Sequence, residues 1–327
     1  MMYYNSFPYK MMAVLLALVA VLVPSGAMAY DLVADGIYYN VNEDGTTLSV
    51  TYETSSGGTY SGDIVIPDQV THDGVTREVT AIGDSAFYAC QWMTSVSLPS
   101  TVTTIEDYGF YACTGLTSIA LPEAVTTVGN LAFSFCTGLT SIDFPEAVTS
   151  IGDYSFYSCT GLVDLVIPNT VTHLGYGAFV FCDGLQSVVI GSSVDMMWYV
   201  FWGCDNLMSV TCLRDLPPYM GLGMNGETHE KVYNFTRQVN EQATLYVPRE
   251  SVGRYTIANQ WRDFKHIVPI GSNPNDMNDD GEVNVADVNA VINAIMMQDA
   301  TTKHDVNRDG EVNVSDVNAM INTIMGQ

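Results

Sequence analysis

Apolar residues recur through the middle of the chain with a period of 23. Phe87, Phe110, Phe133, Phe156 and Phe179 are each 23 residues apart, and Phe201 follows after 22. Three residues after each Phe stands a Cys: Cys90, Cys113, Cys136, Cys159, Cys182 and Cys204. Three further on is Met93, Leu116, Leu139, Leu162, Leu185 or Leu207. The pairs Val96/Leu98, Ile119/Leu121, Ile142/Phe144, Leu165/Ile167 and Val188/Ile190 come next, closed by Pro99, Pro122, Pro145, Pro168 and Gly191. A second apolar series runs Val102/Ile105, Val125/Val128, Val148/Ile151, Val171/Leu174 and Val194/Met197. Within one unit, Thr117–Leu121 alternates apolar with small polar residues, which predicts a strand with one buried face. Pro122 ends it. Val125–Val128 is a second extended piece, and Asn130–Cys136 is expected to be a short helical or 3₁₀ turn presenting Phe133 and Cys136 inward. A unit this short cannot bury its own apolar face, whereas stacked copies share one continuous core. The predicted architecture is a repeat solenoid, mainly β with short helical turns.

Both ends of the stack carry cap signals. Ile37–Val41 and Thr46–Tyr52 flank Asn42-Glu43-Asp44-Gly45, a hairpin signal, and a second hairpin turns at Asp73-Gly74. At the far end Ala243–Pro248 reads as a strand. Ser251 is placed to N-cap a short helix reaching Asn259, and Trp261, Phe264 and Ile267 can cover the last coil. The stretch 213–242 has little pattern and is expected to be an irregular repeat.

The text Ile82-Gly83-Asp84-Ser85-Ala86-Phe87-Tyr88-Ala89-Cys90, followed by Cys113-Thr114-Gly115-Leu116-Thr117-Ser118-Ile119-Ala120-Leu121-Pro122, resembles the leucine-rich repeats of BspA-like bacterial surface proteins. The resemblance covers about residues 64 to 212. It implies a leucine-rich-repeat solenoid on a secreted or surface protein that binds host or bacterial partners, with no enzymatic activity common to the family.

Beyond Gly271-Ser272-Asn273-Pro274, a short linker, the text changes and repeats with a period of 29. The copies begin at Asp276 and Asp305. Each places oxygen side chains at loop positions 1, 3, 5, 9 and 12, with Gly at 6, which is the spacing of a calcium loop. Ca²⁺ is a hard cation that takes six or more oxygens. The first set is Asp276, Asn278, Asp280, Asn284 and Asp287, with the backbone carbonyl of Glu282. The second is Asp305, Asn307, Asp309, Asn313 and Asp316, with the carbonyl of Glu311. Gly281 and Gly310 permit the sharp turn. An apolar helix follows each loop: Val288, Val291, Ile292 and Ile295, then Val317, Met320, Ile321 and Ile324. No comparable helix precedes either loop, so these are half EF-hands, and Asp rather than Glu stands at position 12.

Over residues 275 to 327 this combination resembles a type I dockerin, a small all-α calcium-binding domain. The resemblance implies two Ca²⁺ ions and a cohesin module on a scaffold protein as partner, often in carbohydrate-degrading assemblies. The near-identity of the copies implies two docking orientations. The partner-reading positions depart from the family's usual residues: loop sites 10 and 11 are Val285-Ala286 and Val314-Ser315 rather than hydroxyl pairs. Helix positions 17 and 18 are Ile292-Asn293 and Ile321-Asn322 rather than basic residues.

Composition narrows the function classes. A chain of 327 residues is expected to form two domains at one per roughly 150. Lys plus Arg is 11 against 36 Asp plus Glu, a net charge of −25. That excludes nucleic acid as a partner, since phosphate binding needs Lys and Arg to displace counterions, and it disfavours an anionic lipid surface. With 47% hydrophobic and 14% charged residues, the chain has the makings of a packed protein rather than a disordered acidic tail.

Residues 1–29 read as a secretory signal peptide. Lys10 precedes the 13-residue apolar run Met11–Val23, Pro24-Ser25-Gly26 breaks it, and Ala27-Met28-Ala29 is an A-x-A cleavage site. The run is shorter than the ~20 residues that span a bilayer, so no membrane insertion is expected and the mature chain should start at Tyr30. The predicted organisation is therefore 30–81 N-terminal cap and first repeat, 82–212 solenoid, 213–270 irregular repeat and C-terminal cap, 271–274 linker, and 275–327 dockerin.

Three side-chain rows suggest chemistry. Seven Cys cannot all pair internally. The ladder is compatible with disulfides between coils about one strand spacing, ~4.8 Å, apart. A metal or redox site is disfavoured, since no C-x-x-C occurs and the five His do not cluster with the Cys. Buried free thiols are the expectation, because the six ladder Cys share one inward register and only some could pair. Tyr88, Tyr111, Phe135, Tyr157, Phe181 and Trp202 form a stripe expected to pack coil against coil, with sugar stacking as the alternative. Glu123 and Glu146 share a repeat position at a spacing known from retaining glycosidases, yet nothing in the sequence desolvates them, and solvated carboxylates are expected. The sequence thus predicts a secreted non-enzymatic interaction protein, in which a solenoid recognises protein or glycan and a Ca²⁺-dependent dockerin attaches it. The alternative is a hydrolase component of a polysaccharide-degrading complex.

Overall fold

The computed structural model describes residues 30–54, 57–221, 223–224, 231–270, 285–297, 304–307 and 311–325. The predicted signal peptide 1–29 and linker 271–274 lie outside the described residues. The chain divides into two compact units. One runs to Val247 and includes Gly253–Ile267; the other joins Pro248–Val252 to Val268–Gln327.

The first unit is the solenoid. Its N-terminal end is the antiparallel meander Leu32–Ala34, Ile37–Val41, Thr47–Thr51, and the last of these pairs in parallel with Val75–Ile82. The hairpin Gln69–His72/Val75–Ile82 turns where predicted, and Asp73 and Gly74 both have positive φ, 50° and 77°. That is the backbone a two-residue hairpin loop requires. From Val75–Ile82 a parallel ladder continues as two-residue rungs, Thr104–Ile105, Thr127–Val128, Ser150–Ile151 and His173–Leu174. Met196–Met197 pairs likewise with Tyr219–Met220. In each rung the second, apolar residue is buried.

A second parallel sheet stacks Asp164–Val166, Ser187–Ile190, Ser209–Cys212 and Thr244–Val247. Earlier on this side, Gly62–Val65 pairs with Met93–Ser97. The strand predicted at Thr117–Leu121 is not formed: the segment is extended, with a single bridge from Ala120 to Asp143 and one bond from Thr140 N–H to Thr117 O. Coils are tied together elsewhere, at the Phe-bearing turn. There Leu131, Phe133 and Phe135 each donate N–H to the next coil, to Asp153, Ser155 and Tyr157 carbonyls at 2.7–2.8 Å.

Those bonds also explain why Asn130–Cys136 is not a helix. Ser134 N–H to Leu131 O and Cys136 N–H to Phe133 O close isolated turns, but the intervening N–H groups point outward to the neighbouring coil. The backbone turns them by visiting the left-handed region. Ser85, Ala89, Tyr108, Ala112, Leu131, Phe135, Tyr154 and Ser158 all have φ between 51° and 62°. Each such non-glycine residue costs roughly 1–2 kcal/mol, offset by the inter-coil bond that it permits. Close stacking also fixes a glycine: a Cβ on Gly138 would stand 2.5 Å from Thr114 O.

The C-terminal cap uses Tyr255, Trp261 and Phe264, all buried. Trp261 Nε1–H donates to Pro218 O at 2.9 Å and Tyr255 O–H to Arg214 O at 2.8 Å, so both polar tips are satisfied. The expected helix from Ser251 to Asn259 is only Val252–Tyr255. Ser251 lies in the preceding 3₁₀ turn, and its buried Oγ has no hydrogen-bond partner, so it does not cap.

The second unit contains two 12-residue helices, Val285–Met296 and Val314–Met325. Val291 and Met320 are fully buried at its centre, packed by Val288, Ala290, Ile295, Val306, Val317 and Ile324. Ile292 and Ile321, counted with the apolar helical faces in the sequence, are instead exposed.

Candidate calcium loops and solenoid face

The core of the solenoid is a column of rings. Phe87, Phe110, Phe133, Phe156 and Phe179 are fully buried and stack with centroids 4.9–5.1 Å apart, and Phe201 follows at 5.8 Å. The column does not stop there. Phe235 stacks on Phe201 at 5.7 Å, although 34 residues separate them in sequence. The regular spacing that marks the other rungs is lost here because this coil carries extra chain. Beside it, buried Asn234 accepts Val200 N–H with Oδ1 at 3.0 Å and donates to Met197 O at 3.2 Å.

The seven Cys are buried free thiols. Cys113, Cys136, Cys159 and Cys182 each donate Sγ–H at 3.0 Å to the carbonyl of the previous coil's Phe: Phe87, Phe110, Phe133 and Phe156. Burial pushes the thiols of Cys113, Cys159 and Cys204 well above the ordinary range, and raises those of Cys90 and Cys212. These are structural groups without thiolate character.

The second aromatic stripe also packs on itself. Tyr88 stacks on Tyr111 at 4.9 Å, and Tyr111, Phe135, Tyr157 and Phe181 follow edge to face at 5.2–5.6 Å. Glu123 and Glu146 are both exposed on successive coils, so neither is held in a desolvating environment. A polar ladder that the sequence shows only as Asp/Asn at constant spacing runs along one edge. Asp107 Oδ1 accepts Asn130 N–H, Asn130 Oδ1 accepts Asp153 N–H, and Asp153 Oδ1 accepts Tyr176 N–H, at 2.7–2.8 Å.

In the second unit, Asp276, Asn278, Asp280, Glu282 and Asn284 lie outside the described residues, as does Asp309; Asp287 falls within the first helix. Asp305, Asn307, Glu311, Asn313 and Asp316 are described. Asn313 caps the second helix: its Oδ1 accepts Ser315 N–H at 2.8 Å, while Asp316 Oδ2 accepts Asn313 N–H at 2.8 Å. Asn313 is thus an N-cap on the second helical N–H, and Asp316 supplies the return bond of a capping box. The other oxygen, Asp316 Oδ1, accepts Asn307 N–H at 3.1 Å. Asp316 therefore draws loop positions 3 and 9 toward position 12. The Asn307 amide nitrogen donates to Ser315 Oγ at 2.6 Å, which leaves oxygen as the atom of that amide suited to a cation. Asp316 is fully buried, and among the described residues no Lys or Arg pairs with it. A buried carboxylate with two N–H donors and spare lone pairs, in an all-oxygen donor set, fits a hard divalent cation.

Together the two units define a capped repeat solenoid carrying a half-EF-hand helix pair. Residues 80–208 match the BspA type leucine rich repeat region in six copies, and residues 274–325 match the dockerin type I domain. The chain belongs to the BspA-type leucine-rich-repeat family and carries a type I dockerin, a domain class that binds calcium. A leucine-rich repeat protein from Bacteroides ovatus is 26% identical with a TM-score of 0.54, over 69% of this chain and 57% of that one. The T. pallidum leucine rich repeat protein TpLRR is 32% identical with a TM-score of 0.49, over 56% of this chain and 86% of that one. The chain thus spans only 57% of the length of the Bacteroides ovatus protein. No curated protein matches the chain. No described helix is long and apolar enough to cross a membrane.

Proposed function

We propose that this is a secreted, non-enzymatic interaction protein, with a solenoid that recognises a partner and a dockerin that attaches it to a cohesin-type scaffold when Ca²⁺ is bound. The observation that carries the reading is the Asp316-centred loop closure within a domain matched as a type I dockerin. The second loop would hold one ion through Asp305, Asn307, Asp309, Asn313 and Asp316 with the Glu311 carbonyl. The first would hold another through Asp276, Asn278, Asp280, Asn284 and Asp287 with the Glu282 carbonyl. Bound Ca²⁺ would neutralise the crowded carboxylates and hold each loop against its helix.

Residues 1–29 direct export and 271–274 link solenoid to dockerin in this reading. The repeat family supports the absence of catalysis, and Glu123 and Glu146, both exposed, lend no support to a hydrolase. Attachment to a scaffold remains compatible with membership of a polysaccharide-degrading complex as a binding component. The test is capture on an immobilised cohesin with Ca²⁺ or with EDTA. The full chain should be retained only with Ca²⁺, and removal of 272–327 should abolish retention while leaving 30–270 folded. Equal retention of the truncated chain, or retention in EDTA, would refute the tether.

A further inference from the structure

The outward side of the second sheet carries two rows. Val166, Val189, Thr211 and Tyr246 lie in register on one. Asp164, Ser187, Ser209 and Thr244 lie in register on the other. Alternate residues of these strands point into the core, so both rows face out. Val166 is 58% exposed, and Met208, just before Ser209, is 49% exposed. Val166 projects from the sheet and Met208 stands just before the next strand but one, and neither packs into the core. Asp164 is exposed and accepts Ser187 Oγ–H at 2.6 Å. Asp143 occupies the place of Val166 one coil earlier and is also exposed.

The electrostatic setting of this face is one-sided. Between Arg77 and Arg214 the chain has no Lys or Arg, yet it has 12 Asp and Glu. Among the described residues none of those carboxylates has an ion-pair partner. Coils without a compensating Lys or Arg from 78 to 213 repel nucleic acids, acidic glycans and a second copy of themselves, and attract cations at long range. A neutral glycan would seek exposed aromatic rings; the aromatic stripe is packed ring against ring, and the exposed rings Trp92 and Tyr219 lie outside these four strands.

We propose that the outward face of the sheet Asp164–Val166, Ser187–Ile190, Ser209–Cys212 and Thr244–Val247 docks a lysine- or arginine-bearing, partly apolar surface of a partner protein. Asp143 and Asp164 meet its cations, and Val166 and Met208 its apolar side chains. This rests on the reading that the solenoid recognises a partner, and names the chemistry of that partner.

The test uses the secreted full chain in millimolar Ca²⁺, so that the dockerin carboxylates are occupied. It is titrated with labelled dodecapeptides alternating Lys with Val, Glu with Val and Ser with Val, and with xylan oligosaccharides. The Lys peptide should bind, and more weakly as salt rises. Asp143→Asn with Asp164→Asn should weaken it at least tenfold, and Val166→Ser with Met208→Ser at least threefold. Asp183→Asn with Asp195→Asn, elsewhere on the coils, should leave it unchanged. If that control pair weakens binding as much as the face pair, only net charge is being read and the assignment to this face is wrong. Binding of the Ser peptide, the Glu peptide or xylan that the face variants weaken would overturn the cationic partner while keeping the solenoid as a reader. No binding of any probe would overturn both, leaving Ca²⁺-dependent attachment to be judged by cohesin capture alone.

Discussion

The thiol of Cys136 donates to the carbonyl of Phe110 at 3.0 Å across 26 residues of sequence, and both residues are fully buried. The same bond recurs in the neighbouring coils. Cysteine is small enough for this interior corner, and its thiol is a second donor to a carbonyl that already accepts the Cys113 N–H at 3.2 Å. Oxidation to a disulfide would remove that donor.

Thiol titration checks the arrangement. Denatured protein should react as seven free thiols, whereas the native protein should show few, because every Cys is buried. One thiol and three bridges in the denatured protein would contradict it. Cys136→Ala should cost about 0.5–1.5 kcal/mol for the lost thiol bond, since Phe110 O keeps the Cys113 N–H. Cys136→Ser, which keeps a donor, should cost less in the same denaturant melts.

The ring column predicts a sharp contrast between inside and outside. Phe156→Ala removes a ring stacked on both Phe133 and Phe179 and should destabilise the solenoid by about 3–5 kcal/mol. Val166→Ala, on the exposed face, should fall within about 0.5 kcal/mol of the parent. Chemical denaturation of the two variants separates them. Equal effects would mean that the column does not carry the core.

In the proposed reading, Asp316 couples calcium to the helix start. Asp316→Ala removes the acceptor for the Asn307 and Asn313 N–H groups as well as a carboxylate of the proposed ligand set. Calorimetry on the full chain should show one class of Ca²⁺ site weakened at least tenfold, with the other retained. The circular dichroism gain on adding Ca²⁺ should shrink accordingly. Two undiminished sites would remove Asp316 from the ligand set.

The first hairpin supplies a pH test. Asp44 accepts the Thr47 hydroxyl and the N–H groups of Thr46 and Thr47 at 2.6–2.8 Å. These bonds, led by the hydroxyl, hold its carboxyl at about 2, below the usual carboxylate value. A carboxyl lowered by folding adds stability that is complete above about pH 4 and is lost as pH falls toward 2. Between pH 5 and 2 the melting temperature of the parent should therefore drop further than that of Asp44→Asn. Parallel curves would show that the hairpin acceptor contributes nothing.

Much of the solenoid was legible because its repeat carries its own register. The Phe, Cys and Leu positions are buried wherever the 23-residue spacing places them, and the hairpin at Asp73-Gly74 follows from turn chemistry. Phe235 was not legible, since extra chain in its coil moves it off the period while the stack still places it on Phe201. The strand expected at Thr117–Leu121 failed for a related reason. Alternation shows which side chains point inward, but ladder pairing depends on the approach of a neighbouring coil, which the local text does not encode.

The amino-acid sequence alone determined that this chain stacks repeats and ends in two oxygen-rich loops, because periodicity and ligand spacing are local properties of the text. Only the tertiary structure decided the fate of the thiols, the left-handed turns and the capping role of Asp316. Those depend on which donors and acceptors come within reach of one another once the chain has folded. A buried polar group must find a partner wherever the fold provides one, and that partner can lie 26 residues away.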